Sequence, residues 1–348
     1  YGNFTNNGTV QFSNSAQYAA ANNGAVKVLF RGASNNSLVA NGTTNFYRMI
    51  VNKGVDQSFV LSFSANNANN FKLFGPVTGT AGLDASDGTL GWEQLPIVLR
   101  NGTLKLGSNI VIPILGYNRG SNNPREFTIP PTARLWIDGA SVTTAPTLGD
   151  GVEWSGITVR ETLRVSSGVL TTPANSSGIT YSANAATPAS LIVEGGTLNL
   201  TNIRRRDTEG LLNFSQSGGT INFLTAGYYH ERWGDNGLNA VLSLPDSRQV
   251  FEMSNGLMVF GIANQGHVGG INIESQEGNY FVTGGTIEVR IPTGRDFKIL
   301  SKAPFYNLNT VSTGSTQKVW MTNLWGDNNA FFAGNLVVLN DLTIAAGT

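Results

Sequence analysis

Apolar and polar residues alternate along most of this 348-residue chain, in short runs. Val26–Phe30 (VKVLF), Ser58–Phe63 (SFVLSF), Ala133–Gly139 (ARLWIDG), Gly156–Val165 (GITVRETLRV), Ser190–Gly195 (SLIVEG) and Asn335–Ile344 (NLVVLNDLTI) all read as strands. Period two is what a strand with one buried face requires. No long run carries apolar residues at i, i+3, i+4 and i+7 closed by helix caps. Gly, Asn and Ser-Gly turns separate the runs, so the class is all-β.

One phrase recurs at the turns. SGGTINF (Ser217–Phe223) is echoed by EGGTLNL (Glu194–Leu200) and TGGTIEV (Thr283–Val289), and more loosely by NNGTVQF (Asn6–Phe12), NNGAVKV (Asn22–Val28) and RNGTLKL (Arg100–Leu106). A glycine pair reverses the chain at little steric cost, and Asn is the next most tolerant residue there. Each copy therefore reads as a corner followed by a strand. Gly196 to Gly219 is 23 residues and Gly219 to Gly285 is 66, which reads as three windings of 22.

Single hydrophobic cores stop growing near 250–300 residues, whereas stacked coils have no such limit. The expected fold is a right-handed parallel β-helix, a β-solenoid with loop excursions. It would have roughly 12–15 coils in a rod ~60–70 Å long. Gly195, Gly196, Gly218, Gly219, Gly284 and Gly285 should mark corners, with Leu198, Leu200, Ile221 and Phe223 inside. Asn and Thr at equivalent turns should form side-chain ladders between coils.

A longer echo pairs NFYRMIVNKG (Asn45–Gly54) with PFYNLNTVSTG (Pro304–Gly314). It suggests a β-helix module over 1–303, with irregular N-terminal coils over about 1–45. The start of a next repeat unit would then occupy 304–348 and continue the solenoid. Tyr1 is not an initiator and LNDLTIAAGT stops in mid-pattern, so the chain reads as a piece of something longer.

Composition narrows the partners. Acidic and basic side chains balance at 22 each, and only 13% of residues are charged. That supplies no electrostatic drive toward nucleic acid or an anionic membrane. Apolar residues make up 40%, too many for wholesale disorder, and runs such as Asn109–Leu115 (NIVIPIL) are too short to span a bilayer as a helix. With no cysteine there is neither a disulfide framework nor thiolate chemistry.

NFYRMIVNKGVDQSFVLSF, LKLGSNIVIPIL, ARLWIDGASV, LIVEGGTLNL, VFEMSNG, FKILSKAPFYNL and LVVLNDLTIAAGT occur in this order. Between about Asn45 and Thr348, this set resembles the repetitive β-helix region of very large Bacteroidetes cell-surface adhesins, including the SprB type of gliding adhesin. The resemblance implies a parallel β-helix, export by the type IX secretion route, and display as a filament on the outer membrane. It also implies attachment to an external surface or polysaccharide and carriage by the gliding machinery through other parts of the parent. It transfers no catalytic motif.

The rival reading is a polysaccharide-degrading β-helix enzyme, a lyase or glycoside hydrolase. Such enzymes need paired carboxylates or a Ca²⁺-holding acidic group. Asp84/Asp87, Asp150/Glu153, Asp207/Glu209 and Glu231/Asp235 are the candidates, yet none forms a D-x-D-x-D-G loop or repeats at the coil spacing. Turn residues explain several of them.

GYYHERWGDNG (Gly227–Gly237) is the most site-like stretch. Tyr228, Tyr229, His230, Arg232, Trp233 and Asp235 combine aromatic faces with hydrogen-bonding charges, as a glycan-binding surface needs. The alternative is a long loop packed over a coil by its own aromatics. Arg204-Arg205-Arg206, followed by Asp207 and Glu209, reads as a solvated, self-neutralised turn. His267 is solitary, so no metal site is expected. Trp136, Trp154, Trp320 and Trp325 read as core or coil-corner residues. Gly-rich segments lack a phosphate-cradling form, and no cofactor is expected.

Overall fold

The structure, a computed structural model, describes residues 2–13, 25–75, 96–116, 127–146, 156–182, 187–206, 209–225, 240–261, 269–291, 297–312, 318–321 and 335–345. Among them are 32 strands and no helix. They form a twelve-stranded first sheet, a nine-stranded second sheet and an eight-stranded third sheet, with a three-stranded sheet at the N-terminal end.

Up to Phe297–Ser301 the chain visits the three faces in rotation; after it, Asn307–Ser312 and Leu342–Ala345 of the second sheet each follow a third-sheet strand directly. Phe127–Ile129 lies in the third sheet, Ala133–Ile137 in the first and Thr143–Thr144 in the second; Ile157–Val159 then returns to the third. Each strand pairs in parallel with the strand one winding earlier. This is a parallel β-helix. Near the N-terminus the strand Ile97–Leu106 turns a corner within itself. Its first half pairs with Arg48–Lys53 and its second half with Val60–Ala65, which is why the first sheet counts extra members.

Register stacks like upon like inside the coil. In the first sheet Leu61, Leu104, Leu135, Leu163, Leu191, Phe214 and Phe251 form one inward column, all at most 1% exposed. The second sheet contributes Ile112, Thr144, Leu170, Leu198, Ile221, Met258, Ile287 and Leu308. Phe127, Ile157, Ile179, Ile203, Leu242, Ile271 and Ile299 fill the third. Phenylalanines that are register partners stack, Phe214 on Phe251 at 5.5 Å and Phe223 on Phe260 at 4.8 Å, whereas Phe63 meets Phe71 edge-on. The columns merge into one apolar cluster along the rod. Water exclusion on this scale is the main favourable contribution to folding.

Polar ladders run outside. Asn222 Nδ2 donates to Asn199 Oδ1 at 3.0 Å, and Asn199 Nδ2 to Thr171 Oγ1 at 3.2 Å. These three lie at strand positions of the second sheet. A ladder at a turn also exists, from Asn41 Nδ2 to Asn7 Oδ1 at 2.8 Å.

The windings are not of the uniform length expected. Thr220 pairs with Leu257 and Leu257 with Thr286, so the interval from Gly219 to Gly285 holds two windings rather than three, the first the longer. The step from Lys27 to its partner Arg48 is among the shortest. That from Met49 to Ile97 is more than twice as long. The three-stranded sheet occupies the same place in the rotation as the second sheet, and three and nine strands give twelve levels on that face. At the usual strand spacing that is a rod about 55 Å long. The two Phe-Tyr phrases are also not equivalent. Arg48–Lys53, after the first, lies on the face continued by the third sheet, while Asn307–Ser312, after the second, belongs to the second sheet.

The glycine corner has a physical cause. Gly168, Gly196, Gly219, Gly256 and Gly285 all have φ between 69° and 96°, the left-handed region. Each carbonyl accepts the strand-entry N–H of the next winding, as in Thr197 N to Gly168 O and Thr220 N to Gly196 O. The turns are also packed backbone to backbone. A Cβ on Gly218 would sit 2.3 Å from the Glu194 carbonyl oxygen, and one on Gly219 would sit 2.6 Å from the Gly195 carbonyl carbon. Gly278 separates the two effects, with φ of +90° and nothing within 4 Å. Gly278→Ala should cost about 1 kcal/mol, from backbone conformation alone. Gly219→Ala should cost more than ~2 kcal/mol, since a neighbouring winding must also move. Urea denaturation of the two variants checks this order.

Candidate functional site

One corner of the coil is unlike the other two. From the first to the second sheet the connection is short throughout, as at 194–196 and 217–219. From the third to the first it is also short, up to Tyr280–Val282, while the last connection out of the third sheet, 322–341, is long. From the second sheet, or its N-terminal counterpart, to the third, it varies widely. Only 200–202 separate Thr197–Asn199 from Ile203–Arg205, whereas 224–241 separate Thr220–Phe223 from Leu242–Leu244. The connection 74–96, between Phe71–Leu73 and Ile97–Leu106, is longer still. Extended connections, 113–126 and 145–156, also follow Val111–Ile112 and Thr143–Thr144. The strand ends that these long connections join lie along one edge of the coil, and connections on a rigid scaffold commonly carry function.

Most of the chemistry-bearing candidates fall, by sequence, in those connections. Asp84 and Asp87 lie in the connection 74–96, Asp150 and Glu153 in 145–156, and His267 between Leu257–Phe260 and Gly269–Ile273. Tyr228, Tyr229, His230, Glu231, Arg232, Trp233 and Asp235 belong to 224–241. All of these, with Trp154, Trp325 and Asp207, lie outside the described residues. Glu209 is described, in a turn between the third and first sheets, and is exposed. Among the described residues no three His, Cys, Asp or Glu side chains gather as a metal-holding group.

The first two arginines of the triplet lie in a strand rather than a solvated turn, and Arg206 follows it. Ile203–Arg205 pairs with Ile179–Tyr181, Ile203 points into the core, and Arg204 alternates to the outside, where it is only 7% exposed. Its register neighbour Ser243 and the next, Asn272, also face outward and are buried. Arg206 Nη1 donates to Thr158 Oγ1 at 2.7 Å, and Thr158 shares a 2.8 Å hydrogen bond with Thr180. The outside of the third sheet is a covered polar layer at these levels.

Trp136 is likewise neither core nor corner. It stands on the outer face of the first sheet between its register neighbours Lys105 and Arg164. Lys105 Nζ lies 3.9 Å from the ring centroid and Arg164 Cζ 4.3 Å, a cation–π sandwich. The indole N–H donates to Ser166 Oγ at 2.8 Å, and Ser166 donates to Glu194 Oε2 at 2.6 Å. Arg164 grips the same carboxylate through two bonds of 3.0 and 2.9 Å, while Lys105 pairs with Asp138 at 2.6 Å. Cations flank the indole ring along the ladder, so this tryptophan ties windings together and offers no open platform to a sugar ring. Alternation within Leu135-Trp136-Ile137 already carried that signal.

No protein-family description, curated protein or solved structure matches the chain.

The Glu194 carboxyl is held below the ordinary value of 4.5, chiefly by the Arg164 hydrogen bond and further by Ser166, against desolvation, which raises it. A depressed folded-state pKa stabilises above the unfolded value, and that contribution disappears as pH falls through the folded one. Glu194→Gln should therefore be less stable at neutral pH by up to about 1 kcal/mol, given the partial exposure. The gap between variant and parent should close as pH falls below about 4, read from denaturation midpoints across pH.

Proposed function

We propose that the protein is a rod-like structural and adhesive module of a secreted bacterial cell-surface filament, serving surface attachment and gliding. The observation that carries this reading is the division of the coil, over the windings up to Tyr280–Val282, into two short, closely repeated corners and one corner of variable insertions. The parallel ladder supplies a stiff spacer whose length is set by the number of windings. The variable edge supplies contact points displaced along the rod axis, so weak contacts to an external surface or polysaccharide add through avidity. The ordered phrases resembling Bacteroidetes surface adhesins point the same way. Under this reading the module works at the outer membrane without a cofactor, and tandem copies within a longer chain extend the filament.

The experiment is a polysaccharide panel with two readouts. Retention of the protein on immobilised glycans without new reducing ends or unsaturated products supports the adhesin. Product formation without added enzyme overturns it in favour of a lyase or hydrolase. Trp233→Ala, in the aromatic stretch 227–237, should weaken retention about tenfold or more by removing a stacking face. Its thermal midpoint should match the parent's within a degree or two, because the ladder is untouched. Undiminished retention would remove that connection from the contact surface.

A further inference from the structure

A lysine amine and an asparagine carboxamide meet on adjoining windings. Lys53 ends the strand Arg48–Lys53 and is 1% exposed. Its Nζ donates to Asn36 Oδ1 at 2.5 Å, in the strand Asn36–Ala40, and to the Arg31 carbonyl oxygen at 3.4 Å. Both acceptors are neutral, and among the described residues no carboxylate pairs with the amine. Asp56, nearby in sequence, is committed elsewhere, with its Oδ1 accepting from Ser58 N at 2.8 Å and Ser58 Oγ at 2.5 Å. Removing a cation from water without a counter-charge is costly, so burial favours the neutral amine and lowers the Lys53 pKa.

The fold holds the two groups together. Lys53 is laddered to Gly32 on one side, and on the other a Cβ at Gly102 would lie 2.5 Å from Lys53 Cβ. The absence of a side chain at residue 102 thus admits the lysine stem. Asn36 is laddered to Leu61, one winding on. A desolvated amine is a nucleophile, and a carboxamide held against it is an electrophile. Ser34 Oγ donates to the same Asn36 Oδ1 at 3.3 Å, where negative charge would develop on attack. Two reactants fixed in contact by packing need no chance encounter, which removes much of the entropic barrier between them.

We propose that Lys53 and Asn36 join to each other in an intramolecular isopeptide bond. The neutral Lys53 Nζ attacks Asn36 Cγ and the Nζ–Cγ bond forms. The Cγ–Nδ2 bond breaks, and one amine proton passes to Nδ2, which leaves as ammonia. One primary amide becomes one secondary amide, so no oxidant, reductant or co-reactant takes part. Asn36 is only half-buried, which gives the ammonia a way to solvent. The product replaces a buried amine lacking a counter-charge with a neutral amide, and it ties the chain across a span of 17 residues at the third-to-first corner. The bond concerns the covalent structure of the chain alone, so the adhesin reading and this one can fail separately.

Mass spectrometry of the whole folded chain, incubated at mildly alkaline pH, tests the idea. Most molecules should be lighter than the sequence by one ammonia. A tryptic digest should yield a branched peptide in which 32–48 is joined to 49–72, uncleaved at Lys53. Lys53→Met and Asn36→Ala should each restore the full mass and abolish the branched peptide. Asn-Gly pairs such as Asn41-Gly42 and Asn255-Gly256 can also lose ammonia by closing to a succinimide, but their peptides stay linear. A parent of full sequence mass overturns the proposal, and so does a missing ammonia that maps only to linear peptides. Should a variant not fold, the mass and peptide map of the parent decide alone.

Discussion

Hydrogen bonding between the backbone of one winding and the backbone of the next is the constraint from which the rest of this molecule follows. Every winding must present its N–H and C=O groups in parallel register to its neighbours, and that fixes an axial step of about 4.8 Å irrespective of side chains. At a corner the same step brings turn onto turn. The Thr220 N–H reaches the Gly196 carbonyl, and no Cβ fits between Gly218 and the Glu194 oxygen. Glycine at the first-to-second corner is thus a consequence of stacking as much as of local φ. It recurs wherever a tight turn must reverse the chain without widening the step.

The same register explains the surface. Side chains one winding apart are neighbours whatever their separation in sequence, so the outside of the rod is written in columns. Lys105, Trp136 and Arg164 touch because they share a column, and Glu194 completes the group from the adjacent one. An exposed ion pair contributes little alone, but here each charge also fixes an aromatic ring or a hydroxyl, so holding one side chain lowers the entropic cost of holding the next. Asn222, Asn199 and Thr171 repeat the arrangement with neutral groups on the second sheet. Near-zero net charge is compatible with such a surface, since the columns pair unlike charges locally.

Sequence legibility follows the range of the interactions. The all-β class, the glycine corners and the burial of Leu198, Leu200, Ile221 and Phe223 were readable, because alternation and turn chemistry act over short distances along the chain. Winding length was not. The connection between Phe223 and Leu242 can lengthen without disturbing either strand, so nothing local distinguishes two unequal windings from three equal ones. Arg204 illustrates a different failure. Its charge and its acidic neighbours suggest solvent, whereas pairing with Thr180 places it under cover. Lys53 was illegible for a third reason, since its burial depends on Gly102, distant in sequence, which register alone brings beside it.

These differences bear on where function can reside in a solenoid. A residue in the inward columns cannot change without affecting two neighbours, and a glycine at the first-to-second corner cannot grow a side chain. The second-to-third corner is looser where its connections are long, because the ladder ends before the connection begins and resumes after it, although Gly156 and Gly178 still pack backbone against the next winding. Chain-closure entropy rises only slowly with loop length, about 0.6 kcal/mol per doubling, so a long connection there costs little more than a short one. The stacking that makes the rod rigid is therefore also what concentrates most of the tolerance to insertion on one edge, with 322–341 the exception among the connections. Chemical novelty in such a chain accumulates along that edge.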